Sequence, residues 1–182
     1  AVFHESIGGC VKDCDAVITI VGFPQDVEEV YFEEGNIIDS AKEGAYLMDM
    51  TTTSPQLAEK IYKIGKEKGF HVLDAPVTGG DTGAKAGTLS ILVGGDKADY
   101  EVCMPLFKAM GTNINYQGNA GAGQHCKLAN QILIAGALSG VCEALAYVKA
   151  KGLDADTVLK SLSSGAAGSA QLTNLGPKIA KA

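Results

Sequence analysis

"DAVITIV", Asp15 to Val21, is a run of mostly β-branched residues with an acid in front and Gly22 behind. A continuous apolar run of this length reads as a strand buried on both faces, and strands of that kind belong to parallel sheets. "DVEEVYFEE" (Asp26 to Glu34) follows with apolar residues at 27, 30 and 31 and acids near its start, which predicts a short helix whose dipole is complemented. "AYLMDMT" (Ala45 to Thr51) predicts a second strand. "SPQLAEKIYKIGKEKG" (Ser54 to Gly69) is a helix with Ser at the N-cap, Pro at its first position and a closing Gly. "HVLDAPVT" (His71 to Thr78) is a third strand, then "TLSILVGG", a helix over "KADYEVCMPLFKAM" and a last strand at "INYQG".

This alternation predicts an α/β fold with an incomplete Rossmann-like, mostly parallel sheet over residues 1–118. Ligands of such sheets sit at the carboxyl ends of the strands. Those ends read "VGFP", "MTTTSP" and "PVTGG", all small, hydroxylated or glycine-rich. Residues 119–182 then predict the start of an all-helical C-terminal domain. Its main element is one long helix from about Ala120 to Lys151, apolar on nearly all sides between Ile132 and Val148. A helix of that kind is expected to be buried, by other helices or by another subunit.

Composition narrows the function. The net charge is −6 and no window is rich in lysine, which excludes a phosphate-tracking nucleic-acid surface. No apolar run approaches the roughly 20 residues of a membrane span, so a soluble, cytoplasmic chain without membrane partners is expected. All 15 basic residues are lysines, so an anionic ligand meets lysine, hydroxyls or backbone N–H groups and never an arginine fork. The five cysteines have no paired-ligand spacing and read as reduced structural thiols, with no metal site expected; His125 and Cys126 are adjacent and point about 100° apart on a helix.

Two stretches carry chemistry. In "GAGQHCKLANQI" (Gly121 to Ile132), Lys127, Asn130 and Gln131 stand at i, i+3 and i+4 on one helix face. An ammonium on a buried rod needs a partner, a depressed pKa or a cleft; the plainer reading of the spacing is a lysine that snorkels to water. In "DAPVTGG" (Asp74 to Gly80), Thr78, Gly79 and Gly80 follow a strand, where a hydroxyl and two successive N–H groups could hold a carboxylate. The plainer reading there is a tight turn needing positive φ at glycine. A GxGxxG motif after a strand is absent from this sequence.

With "MDMTTTSP", "DAPVTGGDTGAKAGTLSILVGG", "GAGQHCKLANQ" and "GAAGSAQLTNLGP" in this order, the chain resembles the β-hydroxyacid dehydrogenase family, the family of 3-hydroxyisobutyrate dehydrogenase, tartronate semialdehyde reductase and, more distantly, 6-phosphogluconate dehydrogenase. The resemblance implies an NAD- or NADP-dependent oxidoreductase acting on a small 3-hydroxy acid or semialdehyde. It implies Lys127 as general acid and base, Asn130 and Gln131 toward the substrate, and Thr78, Gly79 and Gly80 as the turn for the substrate carboxylate. It implies Val21, Gly22, Phe23 and Thr52 as residues lining the dinucleotide, and a homodimer or higher homo-oligomer. Against the family pattern, the glycine-rich first βαβ unit and the last helices are missing, so the chain is expected to be an internal part of a longer enzyme. Gln131 stands where some members have Asn, and Lys178 where many have Arg. A non-catalytic scaffold on the same fold, or an imine reductase-like activity, are the alternative readings.

Overall fold

The computed structural model describes residues 2–181. The chain falls into two units, Ala1–Lys127 and Leu128–Ala182. In the first, α1 (Ile7–Val11) leads into β1 (Ala16–Thr19), α2 (Pro24–Phe32), α3 (Ile37–Ser40), β2 (Tyr46–Asp49), α4 (Pro55–Glu67) and β3 (His71–Asp74). Then come β4 (Val77–Thr78), α5 (Gly80–Ala86), β5 (Leu89–Gly95), α6 (Lys97–Met110) and β6 (Gly111–Gly118). The first turn of α7 (Ala122–Ala150) closes this unit; the rest of α7 with α8 (Ala155–Ser163) and α9 (Ala170–Ile179) forms the second.

β1, β2 and β3 are parallel neighbours in an unshifted register, Ala16 opposite Tyr46 and Tyr46 opposite His71. β5 runs antiparallel to β3 and β4, while β6 is parallel to β5. The sheet is therefore mostly parallel, as the pattern of elements predicts. β3 and β4 pair with β5 in one unbroken register, Asp74 opposite Gly94 and Val77 opposite Ile91, and Leu92 N–H donates to the Pro76 carbonyl between them at 3.0 Å. "HVLDAPVT" is thus one extended run, as read, in which Pro76 lacks an N–H and separates two ladder segments.

Side-chain alternation along the strands divides the core. Leu47 and Val72 point to one face and pack with Val27, Tyr31, Leu57 and Ile61 of α2 and α4. Met48 and Leu73 point to the other and pack with Ile91, Cys103 and Phe107. α4 shows why its sequence is helical: Ser54 Oγ accepts the N–H of Leu57 at 3.1 Å, Pro55 begins the helix, and Gly69 takes φ +84° beyond its end.

Two expectations are corrected. β1 is not buried on both faces: Val17 and Thr19 are covered, but Ile18 is 43% exposed. Among the described residues β1 pairs only with β2, so it lies at the edge of the sheet. In α6, whose sequence spaces apolar residues at 98, 102, 106, 107 and 110, the inner stripe is Asp99, Cys103 and Phe107, while Val102 and Leu106 are exposed. The wall that the helix meets decides which stripe turns inward, and the helix's own pattern offered two. In the second unit α7 is buried only along Val141, Leu145 and Val148, with Leu159 of α8 and Leu172 of α9 against that stripe. Two short helices cover one side of a long one, and Ile132 and Leu133 remain about three-quarters exposed.

α7 is longer and more apolar than the sequence reading allowed. Its 29 residues are long and apolar enough to cross a bilayer by length and composition alone. Asn130, Gln131 and Glu143 stand within the same helix, and leaving them in hydrocarbon would be costly.

Candidate functional site

The carboxyl ends of β1, β2 and β3 are tied to one another and to the first turn of α7. Val21 N–H donates to Thr51 Oγ1 at 3.0 Å, joining the segment after β1 to the segment after β2. Gln124 is fully buried; its Oε1 accepts the Thr53 N–H at 3.0 Å and its Nε2 donates to the Thr51 carbonyl at 2.7 Å. Asp74, at the end of β3, accepts the N–H of Gly121 through Oδ1 at 2.8 Å and that of Gln124 through Oδ2 at 2.9 Å. The first amides of a helix have no intrahelical partners, so Asp74 caps α7 from a strand distant in sequence.

Glycine makes the approach possible. A Cβ on Gly123 would stand 2.3 Å from the Leu92 carbonyl oxygen and 2.8 Å from the backbone and carboxylate oxygens of Asp74. A Cβ on Gly94 would stand 2.5 Å from Asp74 Oδ1. At these two positions the backbone of α7 and that of β5 come closer than any side chain would allow.

Lys127 lies one turn beyond Gln124 and is 8% exposed. Its Nζ donates to the Val77 carbonyl at 2.6 Å, and it makes no ion pair among the described residues. Burial holds its pKa below the ordinary lysine value, because the charged form loses hydration that one carbonyl does not replace. The snorkelling reading therefore does not hold within this unit: the amine is turned inward, toward the run that leads to Thr78. Thr78 is half-buried, and Gly79 and Gly80 are exposed with φ of +129° and +62°. The turn is of the positive-φ kind, and its exposed amides are also open to an anion.

At the other strand ends, Val21 is half-buried and Gly22, Phe23 and Thr52 are exposed. Phe23 N–H is held by Asp26 Oδ2 at 2.8 Å, which fixes the entry to α2. A groove of about 310 Å³ opens between the first turns of α2 and α4, lined by Pro24, Gln25, Ser54, Gln56 and Lys60 among others. Asn130 and Gln131 belong to the second unit, where Asn130 Nδ2 donates to Gln131 Oε1 at 3.2 Å. Among the residues expected at the site, the structure brings Lys127 to the Val77–Thr78 run and Val21 to Thr51 beside Thr52. The residues that sequence reasoning missed are Asp74 and Gln124 as anchors of α7.

Two buried carboxylates set an acid-range response. Asp49 Oδ1 accepts the Thr51 N–H at 3.0 Å, but Oδ2 is buried without a partner among the described residues. Burial chiefly, and Asp74 secondarily, push Asp49 up to about 6; burial also raises Asp74, against the N–H groups that favour its ionised form. An acid whose pKa is raised on folding binds its proton more tightly in the native state, so stability is greatest below the unfolded pKa and falls as pH rises through the folded one. Between pH 4 and pH 6.5 ionising Asp49 should cost about 2 kcal/mol. The melting temperature is expected to be higher at pH 5 than at pH 7.5, and Asp49→Asn should flatten that difference; an unchanged slope in the variant would assign it elsewhere.

Two family models match the chain: the NAD-binding domain of 6-phosphogluconate dehydrogenase over residues 1–118, and the NAD-binding region of NADP-dependent 3-hydroxyisobutyrate dehydrogenase over residues 121–182. The second match includes α7, which places that helix in a protein domain. The chain is 55% identical to the uncharacterized oxidoreductase YkwC of Bacillus subtilis over 98% of its own length and 62% of the relative's. It is 38% identical to 2-hydroxy-3-oxopropionate reductase of Escherichia coli over 100% of its length and 62% of that protein's. A solved 3-hydroxyisobutyrate dehydrogenase of Mycobacterium tuberculosis with L-serine superposes with a TM-score of 0.82 at 28% identity, covering 94% of this chain and 58% of that one. The chain thus spans about three fifths of the length of these relatives.

Proposed function

Because this chain belongs to the β-hydroxyacid dehydrogenase family, we propose that it serves an NAD- or NADP-dependent oxidoreductase that interconverts a small 3-hydroxy acid and the matching semialdehyde or keto acid. The observation that carries this reading is the inward-turned amine of Lys127, bonded at 2.6 Å to the carbonyl that precedes Thr78. Burial lowers the pKa of this lysine, which makes its neutral form easier to reach than that of an exposed one.

Bound NAD or NADP supplies the hydride acceptor or donor. The strand ends of β1 and β2 fit such a group: the Phe23 ring is exposed, the Thr52 hydroxyl is exposed, and the groove between α2 and α4 opens beside them. In the oxidative direction a neutral Lys127 takes the proton of the substrate hydroxyl; in the reductive direction its ammonium returns that proton to the new alkoxide oxygen. The exposed N–H groups of Gly79 and Gly80, with the Thr78 hydroxyl, hold the substrate carboxylate. With no arginine in the chain, this turn suits a small monocarboxylate. The assignment of Asn130 and Gln131 to the substrate rests on family resemblance alone.

The test uses the full-length protein with NAD and with NADP against a panel of 3-hydroxy acids, including serine and 3-hydroxyisobutyrate, and short semialdehydes. Turnover at 340 nm with at least one monocarboxylate is expected. Cofactor binding with no turnover across the panel would overturn the reading. A second copy of the chain covering the exposed apolar side of α7 belongs to the same proposal, and light scattering of that preparation should report a dimer.

A further inference from the structure

Helix α7 is held at its start by groups far away in the sequence. No residue just before Ala122 supplies a side-chain cap; both oxygens of Asp74 do so instead, at 2.8 and 2.9 Å, from the end of β3. Gln124 adds two bonds of its own to the segment after β2. Four hydrogen bonds thus fix one helical turn against two strand ends, and Gly94 and Gly123 let the backbones close to contact. For stability alone this is a costly design. A neighbouring Ser or Asp would cap the helix without burying a carboxylate, and replacing buried ionic groups by apolar ones is often neutral or stabilising. What the long-range anchor provides is position, and reacting groups must be held to within about 0.5 Å.

We propose that Asp74 and Gln124 are positioning residues for Lys127: together they set the height of α7 along the Asp74–Thr78 run, so that Nζ meets the Val77 carbonyl and faces the substrate turn. Asp74 lies in "DAPVTGG", yet both its oxygens are occupied by the helix, so its partner is α7 and the substrate contacts fall to Thr78, Gly79 and Gly80. Gln124 bonds on both sides of Thr52 and so couples the position of the lysine to a segment assigned to the cofactor. The inference rests on the reading of Lys127 as general acid and base.

The experiment compares Asp74→Asn, Gln124→Met and Lys127→Met in the full-length protein. Asp74→Asn keeps the shape and one acceptor but sets an amide NH₂ against one helix N–H. Gln124→Met keeps the length of the side chain, removes the bonds to Thr53 N–H and the Thr51 carbonyl, and adds no charge. The titratable side chains on elements beside the start of α7 are Asp49 on β2, Asp74 on β3 and Glu59 on α4, with His125 and Cys126 on α7 itself; none pairs with Nζ. The rising limb of the oxidative kcat/KM profile therefore reports how buried the lysine is. With Asp74→Asn, kcat at pH 7 is expected to fall about 10- to 100-fold, the KM for cofactor to change little, and the limb to move to higher pH, so that the deficit narrows in alkali. Gln124→Met should move the limb the same way and raise the KM for cofactor as well.

A purely structural role predicts a lower melting temperature and a loss that is uniform across pH with the limb unmoved; that result overturns the inference. Should Asp74→Asn not fold, the limb of Gln124→Met, which adds no charge beside Lys127, decides. If Lys127→Met is inactive while both other variants keep the wild-type profile, the positioning inference alone falls. If Lys127→Met is fully active, the general acid and base reading falls with it.

Discussion

Lys127→Met is expected to lower kcat by about 10²- to 10⁴-fold, the range over which a positioned general acid or base contributes. Methionine matches the length of the lysine stem and removes only the proton-carrying end. The Val77 carbonyl loses its donor, a cost of about 1–3 kcal/mol if nothing replaces it. Against this, the fold no longer holds an amine away from water, a penalty visible in the lowered pKa. The two effects oppose each other, so the variant should melt within a few degrees of the parent while losing turnover. Cofactor affinity should survive, because Val21, Thr52 and the groove between α2 and α4 are untouched. Retention of more than a tenth of the activity, measured at 340 nm across pH, would remove Lys127 from the chemistry.

Gly123→Ala should be the most destabilising small substitution in the first unit. Helix propensity predicts the opposite, a gain of about 1 kcal/mol for alanine over glycine inside a helix. Packing outweighs it: the new methyl would stand 2.3 Å from the Leu92 carbonyl oxygen, which is backbone of a sheet strand and cannot rotate away. Overpacking of this kind costs about 1–3 kcal/mol and more where backbone must shift. A net loss near 2 kcal/mol lowers the melting temperature by roughly 4–8 °C in a chain of this size. Gly136→Ala and Gly140→Ala on the same helix have open space around the added methyl and should be neutral or slightly stabilising. If all three variants behaved alike, the close contact at Gly123 would not be the cause.

Local signals were legible in the sequence, and contacts between distant segments were not. Ser54, Pro55 and Gly69 delimit α4 because a cap and a stop act on backbone groups within a turn of themselves. "HVLDAPVT" reads as extended because β propensity and its apolar run agree. Spacing put Lys127, Asn130 and Gln131 on one helix face, but spacing cannot tell what stands opposite that face, and the snorkelling reading was the natural one until Val77 was seen across from Nζ. The Asp74 anchor left no local trace, since its partners Gly121 and Gln124 lie more than forty residues on. The exposed side of Ile18 and the inner stripe of α6 failed for the same reason: which apolar face is covered depends on the neighbour.

The run from Asp74 to Val77 works as a gauge. Extended backbone advances about 3.3 Å per residue and helical backbone about 1.5 Å, so a strand and a helix laid side by side agree at few places. Here they are matched twice, at Asp74 with Gln124 and at Val77 with Lys127. Between the two marks stand only Ala75 and Pro76, both buried, the second with its φ fixed by its ring. The distance from anchor to acceptor is therefore written in covalent geometry, and a core that drifts in sequence elsewhere can repack without changing where the amine comes to rest.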